Sequence, residues 1–164
     1  MFKKLSTSLV VAAALLTSQV ATTDYAQAAS AKKEKKKSQA TSQTTGKLLQ
    51  KAYEAYEKEQ YKEAIDILKT SRAKDKFDIA SVDNLMAYFY ASVGDSEEQA
   101  MAKAKSAYEA KVLNERDHHS ILKLLADLEM GAEKYQSAID HYLEWVKLTG
   151  KSDAAVWTRI ASGY

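Results

Sequence analysis

The 164-residue chain is 46% apolar and 28% charged, with a formal net charge of +2. This composition allows one modest domain and excludes a chain that is disordered or membrane-embedded throughout. The small net charge does not indicate nucleic-acid binding. The absence of cysteine excludes a disulfide framework, thiolate metal sites and a cysteine nucleophile. An average chain of this length would hold about 8 prolines, whereas this one holds none, so we expect an all-α fold.

Residues 1–28 have the pattern of a cleaved secretory signal peptide. Lys3 and Lys4 form a basic start, the run Leu9–Leu16 is entirely apolar, and residues 26–28 (AQA) match the small-x-small motif of a cleavage site. A membrane-spanning helix needs about 20 apolar residues, and this run is shorter. We therefore expect export to the periplasm of a bacterium with two membranes, or to the cell wall or medium where there is only one.

Residues 29–44 form a polar leader ahead of the first periodic apolar residues. Its basic residues are Lys32, Lys33, Lys35, Lys36 and Lys37. Because the segment lacks periodic apolar residues, we expect it to be disordered. Its lysines are suited to a weak contact with an anionic membrane surface, and the alternative is a solvated spacer between signal peptide and domain.

The rest of the chain carries an internal repeat. Tyr61–Asp66 (YKEAID) and Tyr135–Asp140 (YQSAID) are copies of one local motif, separated by about two periods of 37 residues. Between them, Gly94 precedes a divergent copy that ends at Ala100. Apolar residues recur at helical spacing around each copy. We therefore expect repeat units near 45–79, 80–118 and 119–153, with an incomplete unit at 154–164.

This pattern resembles the tetratricopeptide repeat, a helix-turn-helix unit of 34 residues. The resemblance covers 45–164 and implies a right-handed superhelix of antiparallel helix pairs, with three pairs and the first helix of a fourth. Two small residues in each unit allow close helix packing, and here they are Ala52 and Ala64, Ala87 and Ala100, and Ala126 and Ala138. The chain departs from the family in lacking the proline at the end of each unit and in having Asp83 where a large first-helix residue is usual.

In tetratricopeptide arrays the first helices line a concave face that binds peptides. By this resemblance the peptide-binding residues are Leu49, Tyr53, Tyr56, Asn84, Tyr88, Lys123 and Asp127. The expected partner is another protein or an extended apolar peptide, because tyrosines supply a large contact area at low entropic cost. The alternative is that the three tyrosines pack between repeats. Leu49 and Tyr53 replace the Lys and Asn of the clamp with which some family members bind a C-terminal carboxylate, so we expect no such clamp.

The sequence offers no catalytic constellation. His118, His119 and His141 lack the spacing of a metal site, the five glycines form no phosphate-binding loop, and there is no nucleophile elbow. We therefore expect no enzymatic activity, no cofactor and no metal.

These observations favour an exported, non-enzymatic scaffold that mediates protein–protein interaction through its concave face. The segments 142–145 and 157–164 resemble exported repeat proteins associated with TonB-type energy-transduction systems, which implies an envelope complex. The alternative is a structural envelope protein that binds an anionic surface through its basic leader, with the repeats as spacer or oligomerisation unit. The last helix carries Trp157, Ile160, Ala161 and Tyr164 at packing positions. We expect either that the chain is a piece of a longer repeat array or that this open helix pairs with another molecule.

Overall fold

A computed structural model describes residues 39–94, 96–151 and 153–163. Within these ranges the protein is all-helical, as predicted, and its helices are α1 (Gln43–Glu57), α2 (Tyr61–Lys69), α3 (Lys76–Val93), α4 (Glu97–Glu109), α5 (Glu115–Gly131), α6 (Tyr135–Thr149) and α7 (Ala154–Ser162). None of these helices is both long and apolar enough to span a lipid bilayer. The predicted signal peptide, the lysines of the leader and Tyr164 lie outside the described residues.

Polar side chains fix where four of the helices begin. Ser42, Asp75, Asn114 and Asp153 immediately precede α1, α3, α5 and α7, and each side chain accepts a hydrogen bond from a backbone N–H of the first turn. Such an N-cap satisfies a donor that the helix leaves free, and it contributes about 1 kcal/mol.

Three helices begin a few residues before the predicted unit starts. We expected unit starts near 45, 80 and 119, whereas α1 begins at 43, α3 at 76 and α5 at 115; α7 begins at 154, as expected. The difference arises because each helix starts directly after its capping residue, upstream of the positions that the apolar pattern marks. Residues 43 and 44, which we assigned to the disordered leader, therefore belong to the first turn of α1.

Asp78 anchors the start of α1 to α3. Its buried carboxylate accepts hydrogen bonds from the Ser42 backbone N–H at 2.9 Å, the Ser42 hydroxyl at 2.5 Å and the Thr45 hydroxyl at 2.9 Å. These donors stabilise the ionised carboxylate, and the hydrogen bond from the Ser42 hydroxyl is the main reason why the pKa of Asp78 lies below its ordinary value.

The turns within the first and third helix pairs have the same geometry. Glu59 and Glu133 both adopt positive φ, at 61° and 59°. In each turn the next residue donates a backbone hydrogen bond to the preceding helix: Gln60 N–H to Ala55 at 3.0 Å, and Lys134 N–H to Glu129 at 2.8 Å. The two copies of the repeated motif then start α2 and α6 with equivalent tyrosines, Tyr61 and Tyr135.

The core consists of three successive apolar clusters. The first is formed by α1, α2 and α3, the second by α3, α4 and α5, and the third by α5, α6 and α7. Consecutive helices contact one another, and α3 also contacts α1 and α5. Because α3 and α5 each contribute to two clusters, every helix pair buries part of its apolar surface against the next pair.

Small residues lie at the centre of this packing. All six alanines predicted at packing positions are 0% exposed: Ala52, Ala64, Ala87, Ala100, Ala126 and Ala138. A side chain that ends at Cβ lets helix axes approach to the lower part of the usual range of 8 to 10 Å. A larger side chain at any of them would meet atoms of the neighbouring helix.

Asp83 occupies its position in the core as part of a polar contact. It is buried on α3, where its carboxylate accepts from Lys103 Nζ at 2.7 Å and from the Ser106 hydroxyl at 2.6 Å. Both partners lie on α4, so a polar contact joins the two helices of the second pair.

Candidate functional site

The residues predicted for peptide binding lie on α1, α3 and α5, which are the first helices of three pairs. Because α3 contacts both of the other helices, the three are neighbours in space. We use the name first-helix surface for the set formed by Leu49, Tyr53, Tyr56, Asn84, Tyr88, Lys123 and Asp127. The structure gives these residues different roles.

Tyr56 packs between helices. Its ring stacks on Phe89 with the centroids 4.3 Å apart, and it meets the ring of Tyr61 edge-on at 5.1 Å. Its hydroxyl donates a hydrogen bond to Ser92 Oγ at 2.7 Å. The packing role that we considered as the alternative therefore accounts for Tyr56, which joins α1 to α3.

Tyr53 is the exposed aromatic residue of the first-helix surface. It is 51% exposed, and Leu49, one turn earlier on α1, is partly buried against the first core cluster. An exposed ring beside a half-buried aliphatic side chain provides a contact area for an apolar group, with a phenolic oxygen at its edge.

Asn84 and Tyr88 lie at successive turns of α3. The Oδ1 atom of Asn84 is buried without a hydrogen-bond partner among the described residues. Tyr88 is partly buried against the second core cluster, and burial raises the pKa of its phenol, an effect that a hydrogen bond with Ser120 of α5 partly opposes. This contact links the second and third helices of the surface.

The end of the surface on α5 is charged. Asp127 accepts from Lys123 Nζ at 3.1 Å and from the Tyr142 hydroxyl of α6 at 2.6 Å, and Arg159 of α7 lies 3.6 Å away. Burial, followed by the interaction with Asp127, raises the pKa of Tyr142, while Arg159 acts in the opposite direction. The sequence did not identify Arg159 as a candidate, because its approach to Asp127 depends on how α7 packs.

A groove on another part of the molecule was also missed. It has a volume of about 1020 Å³ and lies between α2 and the end of α3. Its apolar lining consists of Tyr61, Ile65, Ile67, Tyr90 and Val93. The second helices differ in length: α2 has 9 residues, whereas α4 has 13 and α6 has 15, so α2 covers less of α3.

A polar cluster joins α4, α5 and α6. The Tyr108 hydroxyl donates to Glu144 at 2.6 Å, and its ring stacks on His118 at 5.1 Å. His141 Nδ1 lies 2.6 Å from the buried Glu129 carboxylate. Within the described part of the chain, no three residues of the His, Cys, Asp and Glu types are arranged to hold a metal ion. The contacts of the cluster hold helices together.

Comparison of the chain with protein-family models, with curated proteins and with solved structures finds no match. The tetratricopeptide resemblance therefore stays a prediction from the sequence. The functional interpretation rests on the geometry of the first-helix surface.

Proposed function

We propose that this protein is an exported, non-enzymatic scaffold of the tetratricopeptide type that binds a partner protein through its first-helix surface. Export is inferred from the residues of the N-terminal segment. The repeat architecture is inferred from the recurring motif, the fully buried alanines and the helices that contribute to two core clusters.

One observation supports the binding role more than any other: three neighbouring helices carry groups that protein packing leaves available or incompletely satisfied. α1 presents the half-exposed ring of Tyr53, α3 carries the unpartnered Oδ1 of Asn84, and α5 presents Lys123 beside Asp127. An extended segment that crosses these helices would meet an apolar area first, then a polar group and then a charged pair.

The unpartnered Oδ1 of Asn84 is a candidate contact for a ligand. A buried acceptor without a donor destabilises the fold by about 1–3 kcal/mol, and polar groups left in this condition are most often explained by a functional role or a bound water. Ligand binding that turns the carboxamide toward a backbone N–H of the partner would remove this cost.

The proposal is tested by affinity capture from an extract of the source organism with the full chain as bait. The double variant Tyr53→Ala, Tyr88→Ala removes the exposed ring of α1 and the half-buried ring of α3. It should abolish capture of a protein that the unmodified chain retains. Tyr135→Ala is the matched control, because Tyr135 is a similarly exposed tyrosine at the start of α6 and should leave capture unchanged. Unchanged capture by a folded double variant contradicts the proposed surface.

A second variant separates binding from stability. Asn84→Leu removes the unpartnered oxygen, so it should raise the melting temperature and at the same time weaken capture of the partner. A variant that is more stable and binds as well as the original chain would show that Asn84 has no part in recognition.

A further inference from the structure

Exposed basic residues lie where the first helix pair meets the start of α3. Lys47 is near the start of α1, Arg72 and Lys74 lie in the connection between α2 and α3, and Lys76 is the first residue of α3. All four are exposed. Among the residues that the structure describes, none of the four forms an ion pair with an acid. Their charges are therefore available to a ligand that arrives from solvent.

Hydrogen bonds bring the segments that carry these residues together. Asp78, in the first turn of α3, accepts from the hydroxyls of Ser42 and Thr45, so the starts of α1 and α3 lie side by side. Lys47 follows Thr45 by two residues, and Lys76 precedes Asp78 by two. The basic residues of the two helices thus belong to the same end of the molecule.

Two carboxylates lie among these cations. Asp75 caps α3 through backbone N–H groups of the first turn, and Asp78 is buried beneath α1. Both keep their negative charge, because the groups that donate to them are neutral. α1 has no acid in its first turn and carries its first acid at Glu54, and Asp66 of α2 is paired with Lys69. The four cations therefore outnumber the two carboxylates.

The equivalent region of the second pair has the opposite balance. Residues 69–79, from the last residue of α2 through the first turn of α3, contain four basic and two acidic residues. Residues 109–118, from the last residue of α4 through the first turn of α5, contain two basic and three acidic residues. The excess of positive charge is therefore a feature of this one connection and not of the repeat.

An exposed aliphatic side chain lies beside the cations. Ile79 is 40% exposed and lies one turn after Lys76 on the same face of α3. Together with Ala73 it lines a depression of about 520 Å³. Cations near a bilayer are attracted by the surface potential of anionic lipids, and an apolar side chain among them gains free energy by entering the headgroup region. A soluble polyanion would interact with the cations alone.

We infer that Lys47, Arg72, Lys74, Lys76 and Ile79 form a bilayer-contact surface, which binds the anionic lipid headgroups of a membrane. The surface belongs to the folded helical domain and is separate from the leader lysines, for which the sequence alone predicts a weak membrane contact. It adds a lipid ligand to the protein partner of the proposed function, and it uses none of the residues of the first-helix surface.

The inference is tested by co-sedimentation of the full chain with lipid vesicles. One preparation contains phosphatidylglycerol in phosphatidylcholine, and the other contains phosphatidylcholine alone. The triple variant Arg72→Gln, Lys74→Gln, Lys76→Gln should weaken binding to the anionic vesicles by roughly 100-fold at low salt, because each basic residue near a charged surface contributes about fivefold. Ile79→Ser should weaken it further, whereas Ile79→Leu should not.

The matched control removes the same charge from another part of the molecule. It replaces Lys58, Lys62 and Lys134 with Gln, which are exposed lysines at or beside the turns within the first and third pairs. Lys58 is eleven residues beyond Lys47, or about 16 Å along α1, which exceeds the Debye length of about 10 Å. The control should therefore bind like the original chain. Every variant keeps residues 1–38, so a contribution of the leader is common to all, and circular dichroism verifies that each variant is folded.

Three results would overturn the bilayer-contact surface. The first is equal binding to the two kinds of vesicle. The second is unchanged binding by the folded triple variant, and the third is an equal loss in the control variant, which would show that only net charge matters. Binding to soluble polyphosphate without binding to anionic vesicles would identify a different polyanion and would also overturn it. None of these outcomes depends on the capture of a protein partner.

Discussion

The two junctions between consecutive helix pairs are built differently. The first junction joins α1 and α2 to α3, and the second joins α3 and α4 to α5 and α6. Both use hydrogen bonds between residues 36 positions apart, namely Ser42 to Asp78 and Tyr56 to Ser92 in the first, and Tyr108 to Glu144 in the second. Each of these hydrogen bonds thus joins residues one period apart, but the donor and acceptor residues differ between the two junctions.

The first junction is closed on one side and open on the other. Asp78 holds the start of α1, and Tyr56 stacks on Phe89, but the short α2 leaves the groove along the end of α3. The second junction has aromatic contacts of its own. There the ring of Tyr108 is 5.1 Å from His118 and 5.6 Å from His141, and the connecting residue Leu113 is buried.

The two junctions share a spacing of 36 residues, whereas local side chains determine how tightly successive pairs are joined. Fully buried alanines are common to all three pairs, but the polar contacts that lock the junctions are not repeated. We therefore expect the first junction to open more readily than the second.

The largest expected effect comes from replacing one of the fully buried alanines that all three pairs share. Ala138→Leu inserts three carbons at a 0% exposed position in the third pair, and overpacking should lower the free energy of unfolding by about 1–3 kcal/mol. Thermal and urea denaturation would measure it, with Ala102→Leu as the control on the exposed face of α4. A wild-type melting temperature for Ala138→Leu would mean that the helix register is wrong.

The next effect should be confined to the first junction. Asp78→Ala leaves the Ser42 and Thr45 donors without their acceptor, which should lower the free energy of unfolding by about 1–2 kcal/mol. It should increase amide hydrogen exchange in α1 more than in α6. Asp66→Ala, an exposed acid paired with Lys69 on α2, is the control. Equal loss of protection in both helices would show that the junctions are not independent.

Asp78 should also make the hydrogen-exchange protection of α1 depend on pH. Because the pKa of Asp78 is lower in the folded protein than its ordinary value, its contribution is fully present above the unfolded-state pKa of about 3.9 and is lost as the pH falls through the lower folded-state pKa. Protection of α1 should therefore decrease below about pH 4 in the original chain. A pH profile that Asp78→Asn leaves unchanged would contradict this origin.

The smallest effects compare the two tyrosine hydroxyls. Tyr108→Phe removes a hydrogen bond to a carboxylate and should cost about 1 kcal/mol, whereas Tyr56→Phe removes an exposed bond to Ser92 and should cost about 0.5 kcal/mol. Each variant keeps its ring, so stacking is preserved and urea denaturation isolates the hydroxyl contribution. The reverse order would mean that the first junction is the more strongly bonded one.

Much of the helical packing could be predicted from residues that recur at a regular spacing in the sequence. The six small residues are predictable because close packing requires them, and Tyr61 and Tyr135 mark helix starts because their motif recurs. Arg159, the groove beside α2 and the partner of Asp83 were not predictable. Each depends on how side chains of different helices approach one another in three dimensions, which apolar periodicity does not encode.

The claim that the first-helix surface binds the partner is tested most directly by photo-cross-linking. A photoreactive amino acid would be placed at Tyr53 on α1, at Tyr61 in the groove, or at Tyr135 on α6; the three tyrosines are exposed to a comparable degree. We expect one partner protein to cross-link at Tyr53 and at neither of the other two positions. Cross-linking at Tyr61 without Tyr53, or at none of the three while the partner is captured, would contradict it.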